Sequence, residues 1–143
     1  TGRRKVLVFD GAYHGGVLSF GGGASPVNVP HDFVIAPYND LDAVRAIVDR
    51  DGGALAALLV EPMLGSGGCI AGEAPFLAGL RELADACGAM LIFDEVMTSR
   101  LSIGGRQAQL GRGEDGAGRG RGRAGRAGTG RGAEERRAAR NRA

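Results

Sequence analysis

Two acids close a short apolar run, Met90-Leu91-Ile92-Phe93-Asp94-Glu95, and a carboxylate at the end of a buried strand is placed to meet a ligand. Further acids end two earlier apolar runs: Asp10 after Lys5–Phe9, and Glu61 after Leu55–Val60. Tyr13-His14 follows the first of these runs, and the Gly-rich Gly65-Ser66-Gly67-Gly68 follows the other. A strand ending in Asp-Glu is also how a nucleotide hydrolase holds magnesium. That chemistry needs a Gly-rich loop ending in Gly-Lys-Ser/Thr to cradle phosphates. The chain has no such sequence, and Lys5 is its only lysine. The plainer alternative is a pair of acids that close a strand and bind nothing.

Metal and disulfide chemistry find little support. Cys69 and Cys87 stand far apart with no histidine near either, which does not match zinc-ligand spacing. They are expected to be two small buried hydrophobes in a reducing compartment. His14 and His31 are the only histidines. No metal site is expected.

The elements that must position these residues follow from the apolar pattern. Lys5–Asp10, Asp32–Ala36, Leu55–Val60 and Met90–Phe93 read as short buried strands. Gly11 to Pro30 reads as a long loop rich in Gly, Ser and Pro. Asn39 or Asp40 can cap a helix carrying Leu41, Val44, Ile47 and Val48, which Gly52-Gly53 ends. Phe76, Leu77, Leu80, Leu83, Ala84 and Cys87 keep helical spacing, closed by Gly88. Strands alternating with amphipathic helices predict an α/β domain with a mostly parallel sheet. Its strand ends would gather Asp10, Glu61 and Asp94-Glu95 on one edge.

Composition changes near Leu110. Residues 1–100 carry seven Lys and Arg against twelve Asp and Glu, whereas residues 101–143 carry eleven Arg against four acids. Beyond Leu110 the only apolar side chain is Ala, and Arg119–Arg126 is an Arg/Gly/Ala run. Such a segment buries too little apolar surface to offset its ordering entropy, so residues 111–143 are expected to be a disordered tail after a domain at 1–110. No run is long and apolar enough for a membrane span, so no membrane partner is expected.

Five pieces occur in order: Tyr13-His14-Gly15, Pro37-Tyr38-Asn39-Asp40, Val60-Glu61-Pro62, Gly65-Ser66-Gly67-Gly68-Cys69 and Leu91-Ile92-Phe93-Asp94-Glu95-Val96-Met97-Thr98. Together they resemble class III aminotransferases, which use pyridoxal phosphate (PLP), and most of all the glutamate-1-semialdehyde 2,1-aminomutase group. The resemblance covers residues 5–110. It implies a fragment of the sheet of a fold-type I PLP-enzyme large domain, from a cytoplasmic enzyme acting on a small amino acid or amino aldehyde. In the aminomutase case the product would be a tetrapyrrole precursor.

The resemblance also assigns roles. Asp94 matches the carboxylate that holds the protonated pyridine nitrogen of PLP, which must stay charged for the ring to act as an electron sink. Tyr13 matches the aromatic residue stacked on the ring, with His14 beside it as a structural or rim residue. Val96 matches the apolar residue near the other face. Ser66 stands where the aminomutase group usually has Asn, bonded to the ring hydroxyl. Glu61 matches the acid of the family's Glu-Pro turn, at the site edge and not a catalyst.

The family's Schiff-base lysine follows the Asp-Glu strand within roughly thirty residues. Gly116–Arg126 contains no lysine, and Lys5 precedes the whole constellation. The chain is therefore expected to be catalytically incomplete, with an incomplete dimer interface and an exposed sheet edge. From Arg112 onward the Gly/Arg/Ala composition is what GC-rich codons give in a wrong frame, so a frameshift is expected there. The rival expectation is an α/β domain whose Arg/Gly tail binds RNA, although no aromatic residue interleaves the arginines. A third is a fragment with no function of its own.

Overall fold

A computed structural model describes residues 1–110, for Leu110 the backbone alone. The tail expected at 111–143 lies outside the described residues. Four strands form one parallel sheet: β1 (Lys5–Phe9), β2 (Asp32–Ala36), β3 (Leu55–Val60) and β6 (Met90–Phe93), in the spatial order β2-β1-β3-β6. Helices α1 (Leu41–Asp51) and α2 (Ala74–Cys87) make the two crossovers from β2 to β3 and from β3 to β6. Both crossovers run in the same direction across the sheet. The usual right-handedness of such connections therefore puts both helices on one face, where they touch each other. The fold is the α/β parallel sheet that the apolar pattern predicts.

Local chemistry sets the helix ends. Asp40 caps α1, its carboxylate accepting from the Ala43 N–H at 2.9 Å. Asn39 adopts φ 61°, a conformation Asn tolerates, and its side chain reaches Ala71 O and Glu73 N, both at 3.0 Å. Gly88 ends α2 at φ 68°, in the left-handed region. Arg3 then donates to the Cys87 carbonyl at 2.6 Å, an acceptor that the helix end leaves free, and to the Leu55 carbonyl at 3.1 Å where β3 begins. Where α1 and α2 cross, Gly79 lies against Leu41, and a Cβ there would collide with that side chain.

The core sits between the sheet and the helices. Leu7, Phe9, Leu58 and Val60 are buried against Val44, Phe76, Leu77 and Leu80. The Phe9 ring meets Phe76 edge-on at 5.4 Å and Tyr38 at 5.8 Å. The opposite face carries Val6, Val8, Phe33, Ala57, Leu59, Met90 and Ile92, by strand alternation and register. Phe20, from the loop after β1, covers Phe33 on that face at a ring separation of 4.9 Å. Met90 (59% exposed) and Ile92 (41%) stay open on the edge strand β6.

Four details depart from the sequence expectation. The segment 11–30 is not a plain loop: Ala12 and Phe20 are buried, and Tyr13 pairs with Ser19 in an antiparallel bridge. The Gly-rich turn joins a two-residue hairpin, β4 (Met63–Leu64) with β5 (Ile70–Ala71). A short helix, α3 (Gly105–Leu110), follows the site segment. Cys69 and Cys87 are not buried: Cys69 is exposed on the hairpin turn at φ 58°, and Cys87 is half-buried at the end of α2.

Candidate functional site

The carboxyl ends of β1, β3 and β6 lie side by side, and three chain segments leave the sheet there. Asp94 follows β6, its N–H donating to the Val60 carbonyl at 2.8 Å, so strand pairing carries on to the residue that matters. Its carboxylate is fixed from two sides. The Val96 N–H donates to Oδ1 at 3.1 Å, and Nδ1 of His14 lies 2.7 Å from Oδ2. A carboxylate only accepts, so the proton in that contact sits on Nδ1.

The His14 side chain is 3% exposed, which favours the structural one of its two expected places over the rim: it is a buried partner of Asp94. Its second nitrogen, Nε2, is buried without a hydrogen-bond partner among the described residues.

Glu61 is buried at the end of β3. Its Oε1 accepts from the Tyr13 N–H and its Oε2 from the Gly65 N–H, both at 2.9 Å. Tyr38, arriving from the end of β2, donates its hydroxyl to the Glu61 carbonyl at 2.7 Å. Burial, and after it the Glu61 charge, push the Tyr38 phenol upward, so it remains a donor at neutral pH. Ser66 Oγ donates to the Gly11 carbonyl at 2.7 Å, a second tie between the β3 turn and the loop after β1.

The remaining acids part company with this group. Asp10 accepts from the Gly22 N–H at 3.2 Å and shapes its own loop. Glu95, adjacent to Asp94, turns to α3: it accepts from the Thr98 hydroxyl, from Arg106 N at 3.0 Å and from Gln107 N at 2.7 Å. Burial raises the Glu95 carboxyl, but those hydrogen bonds and the Arg106 charge outweigh it, leaving it below the ordinary value. The apolar pattern alone places Asp94 and Glu95 together at the strand end; the family resemblance singles out Asp94, and the direction in which each side chain leaves the chain gives Glu95 its separate task. Tyr13 (51% exposed) and Val96 (84% exposed) flank the His14–Asp94 pair in sequence and leave aromatic and apolar surface uncovered.

Lys5 is at the other end of the molecule. It opens β1, and its Nζ lies 2.5 Å from Asp51 at the end of α1. The Lys5 hydrogen bond, then that of Arg50, holds the Asp51 carboxyl below the usual range. The length of β1, about 13 Å at 3.3 Å per residue, separates this amine from the strand ends that bear His14 and Asp94. Among the described residues no group of three His, Cys, Asp or Glu is placed to hold a metal ion, and no helix is long and apolar enough to cross a membrane.

Comparison with known proteins bears on the family and the fold. The aminotransferase class-III family model matches residues 1–106. The β-phenylalanine transaminase of Variovorax paradoxus is 56% identical over 111 residues, covering 78% of this chain and 26% of that protein. A crystal structure of the Variovorax paradoxus β-phenylalanine aminotransferase superposes with a TM-score of 0.74 at 55% identity, over 77% of this chain and 26% of that one. The glutamate-1-semialdehyde 2,1-aminomutase of Cytophaga hutchinsonii is 41% identical over 126 residues, covering 78% of this chain and 29% of that protein. A variant of the aminomutase from Pseudomonas aeruginosa PAO1, solved in complex with PMP, superposes with a TM-score of 0.66 at 33% identity, over 77% of this chain and 27% of that one. The chain thus spans between a quarter and a third of the length of these relatives.

Proposed function

Since the chain belongs to the class-III aminotransferase family, we propose that residues 1–110 are the part of a PLP-dependent amino-group-transfer enzyme that holds the pyridine side of the cofactor. The observation that carries this reading is the His14–Asp94 pair at the end of β6. The donor set fits the group. The carboxylate is oriented by a buried imidazole and a backbone N–H, and Asp94 keeps 19% of its side chain open, enough to accept from one more N–H. When bound, the cofactor supplies an electron sink for carbanion chemistry.

The chain's own residues divide the remaining work. Asp94 accepts the ring N–H and keeps that nitrogen charged. His14 holds Asp94 in register and excludes water from behind it. The exposed ring of Tyr13 supplies a flat stacking surface, and Val96 an apolar one. Ser66, already donating to Gly11, has lone pairs left to accept from a ring hydroxyl. Glu61 stands at the edge of the site and is not a catalyst.

The substrate is a small amino acid or amino aldehyde. Higher identity to the β-phenylalanine transaminase than to the aminomutase favours transfer between two molecules, with a β-amino acid as donor. The aminomutase alternative would place the chain in tetrapyrrole formation. The family reading implies a cytoplasmic setting and a dimer whose interface this chain carries only in part.

The chain by itself lacks the amine that the chemistry needs, because Lys5 is committed to Asp51 at the far end of the sheet. It is therefore inactive on its own, and residues 112–143 are the product of a frame change and not a selected RNA-binding tail. PLP titration followed by absorbance tests the cofactor reading. Asp94→Ala is expected to weaken binding about tenfold or more, the scale of losing a hydrogen bond to a charged group. Equal affinity of wild type and variant would sink it. Borohydride reduction followed by mass spectrometry is expected to trap no cofactor on Lys5.

A further inference from the structure

We propose that Glu61 is a positioning residue: its two carboxylate oxygens clamp the loop carrying Tyr13 and His14 to the turn carrying Ser66, so that these side chains reach the cofactor as one unit. The role assigned to the clamp rests on the cofactor reading above. The clamp itself rests on geometry. Oε1 takes the Tyr13 N–H and Oε2 takes the Gly65 N–H, each at 2.9 Å, across 48 and 4 residues of sequence.

Three features make the contact more than a satisfied strand end. Glu61 is 5% exposed, so both oxygens need partners, and a carboxylate has no donor of its own to offer. The partners are backbone amides, which fix chain position regardless of side-chain rotamer. The residue is also held from behind, because its carbonyl accepts from Tyr38 and Asp94 pairs with its neighbour Val60. One rigid residue therefore refers two loops to the same strand. Space is short on the turn side: a Cβ at Gly65 would stand 3.0 Å from Met97 Cγ and 3.4 Å from Glu61 Oε2. The turn backbone must approach closely for the clamp to close.

A neutral isostere separates this role from simple packing. In Glu61→Gln the amide oxygen can accept one N–H, but the amide NH2 then faces the other N–H donor to donor. One loop must let go while volume is conserved.

Backbone amide exchange on the full chain reads the clamp without any cofactor. In the wild type, the amides of Tyr13 and Gly65 are expected to be protected although both lie outside regular strands; fast exchange of both would overturn the proposal even if no variant folds. In Glu61→Gln at least one of the two should exchange about tenfold faster or more, while Leu7 and Leu58 in the sheet stay unchanged. PLP affinity then tests the positioning role. Glu61→Gln should weaken binding, and a double-mutant cycle with His14→Ala should be non-additive, since both losses act through the same loop. Strict additivity with altered exchange would reduce Glu61 to a structural residue. Failure of the wild type to bind PLP would count against the cofactor reading instead and leave the exchange result to decide the clamp.

Discussion

His14 and Asp94 are separated by 80 residues of sequence and meet at 2.7 Å, imidazole Nδ1 against carboxylate Oδ2. The contact links the loop after the first strand to the end of the last strand of the sheet. The orientation of the carboxylate therefore depends on β1, β3 and β6 being paired, since those two ends come together only when β3 lies between β1 and β6.

Removing the imidazole tests that dependence. His14→Ala opens a cavity and strips Oδ2 of its donor, so urea unfolding should show a loss of about 1–3 kcal/mol. His14→Asn, which keeps a donor group, should lose less. Nitrogen-15 NMR of the wild-type ring should find the proton on Nδ1, and a proton on Nε2 alone would contradict the geometry.

Glu95 predicts an acid limb. Its carboxyl lies below the ordinary value of 4.5 in the folded chain, so the folded state holds this proton less readily than the unfolded one. The stability that Glu95 contributes is therefore complete at pH values above the unfolded pKa. It is lost as pH falls through the lower folded pKa. Stability measured from neutral pH down to about pH 3 should fall less steeply in Glu95→Gln than in wild type. The largest local effect should be faster amide exchange at Arg106 and Gln107, which Glu95 accepts.

The contact between α1 and α2 is limited by one missing methyl group. Gly79→Ala drives a Cβ into Leu41 and should destabilise by about 1–3 kcal/mol, the usual cost of overpacking, despite the better helix propensity of Ala. Adding Leu41→Val in the same chain should recover part of that loss. If Gly79→Ala proved stabilising in urea, the close approach of the two helices would be wrong.

Self-association should track the open side of β6. Met90 and Ile92 are exposed beside an edge of that strand that is unpaired among the described residues, which is the condition under which sheets add strands from other molecules. Ile92→Lys should lower the concentration-dependent mass measured by light scattering while leaving the far-UV spectrum unchanged. An unchanged mass would assign any association to another surface.

Much of the frame was legible because its signals are local. The four apolar runs become the four sheet strands, Asp40 caps α1, and Gly88 closes α2 in the left-handed conformation. The family resemblance carried by the five ordered motifs is matched by the family model over residues 1–106. The misses are non-local or depend on side-chain direction. Phe20 sits in a Gly-rich stretch, and only its seat on Phe33 across the sheet makes it core. His14 has no sequence neighbour that marks it as buried; Asp94 supplies that from far along the chain. Cys69 is exposed because a hairpin turn places it there, a fact that residue type alone does not hold. Helix α3 starts at Gly105 with φ 71° and leans on Glu95, so no propensity signal announces it.

The outer side of β6 has a bearing on what would complete this unit. Among the described residues Met90–Phe93 pairs with β3 on one side only, so the backbone N–H and C=O groups directed to the other side form a row of donors and acceptors at the spacing of a parallel strand. Hydrogen bonding along such a row is indifferent to covalent connectivity: a strand delivered by a second polypeptide meets the same pattern as one delivered further along the same chain. What would suit that row is defined by chemistry and not by linkage: an extended apolar strand laid parallel to β6.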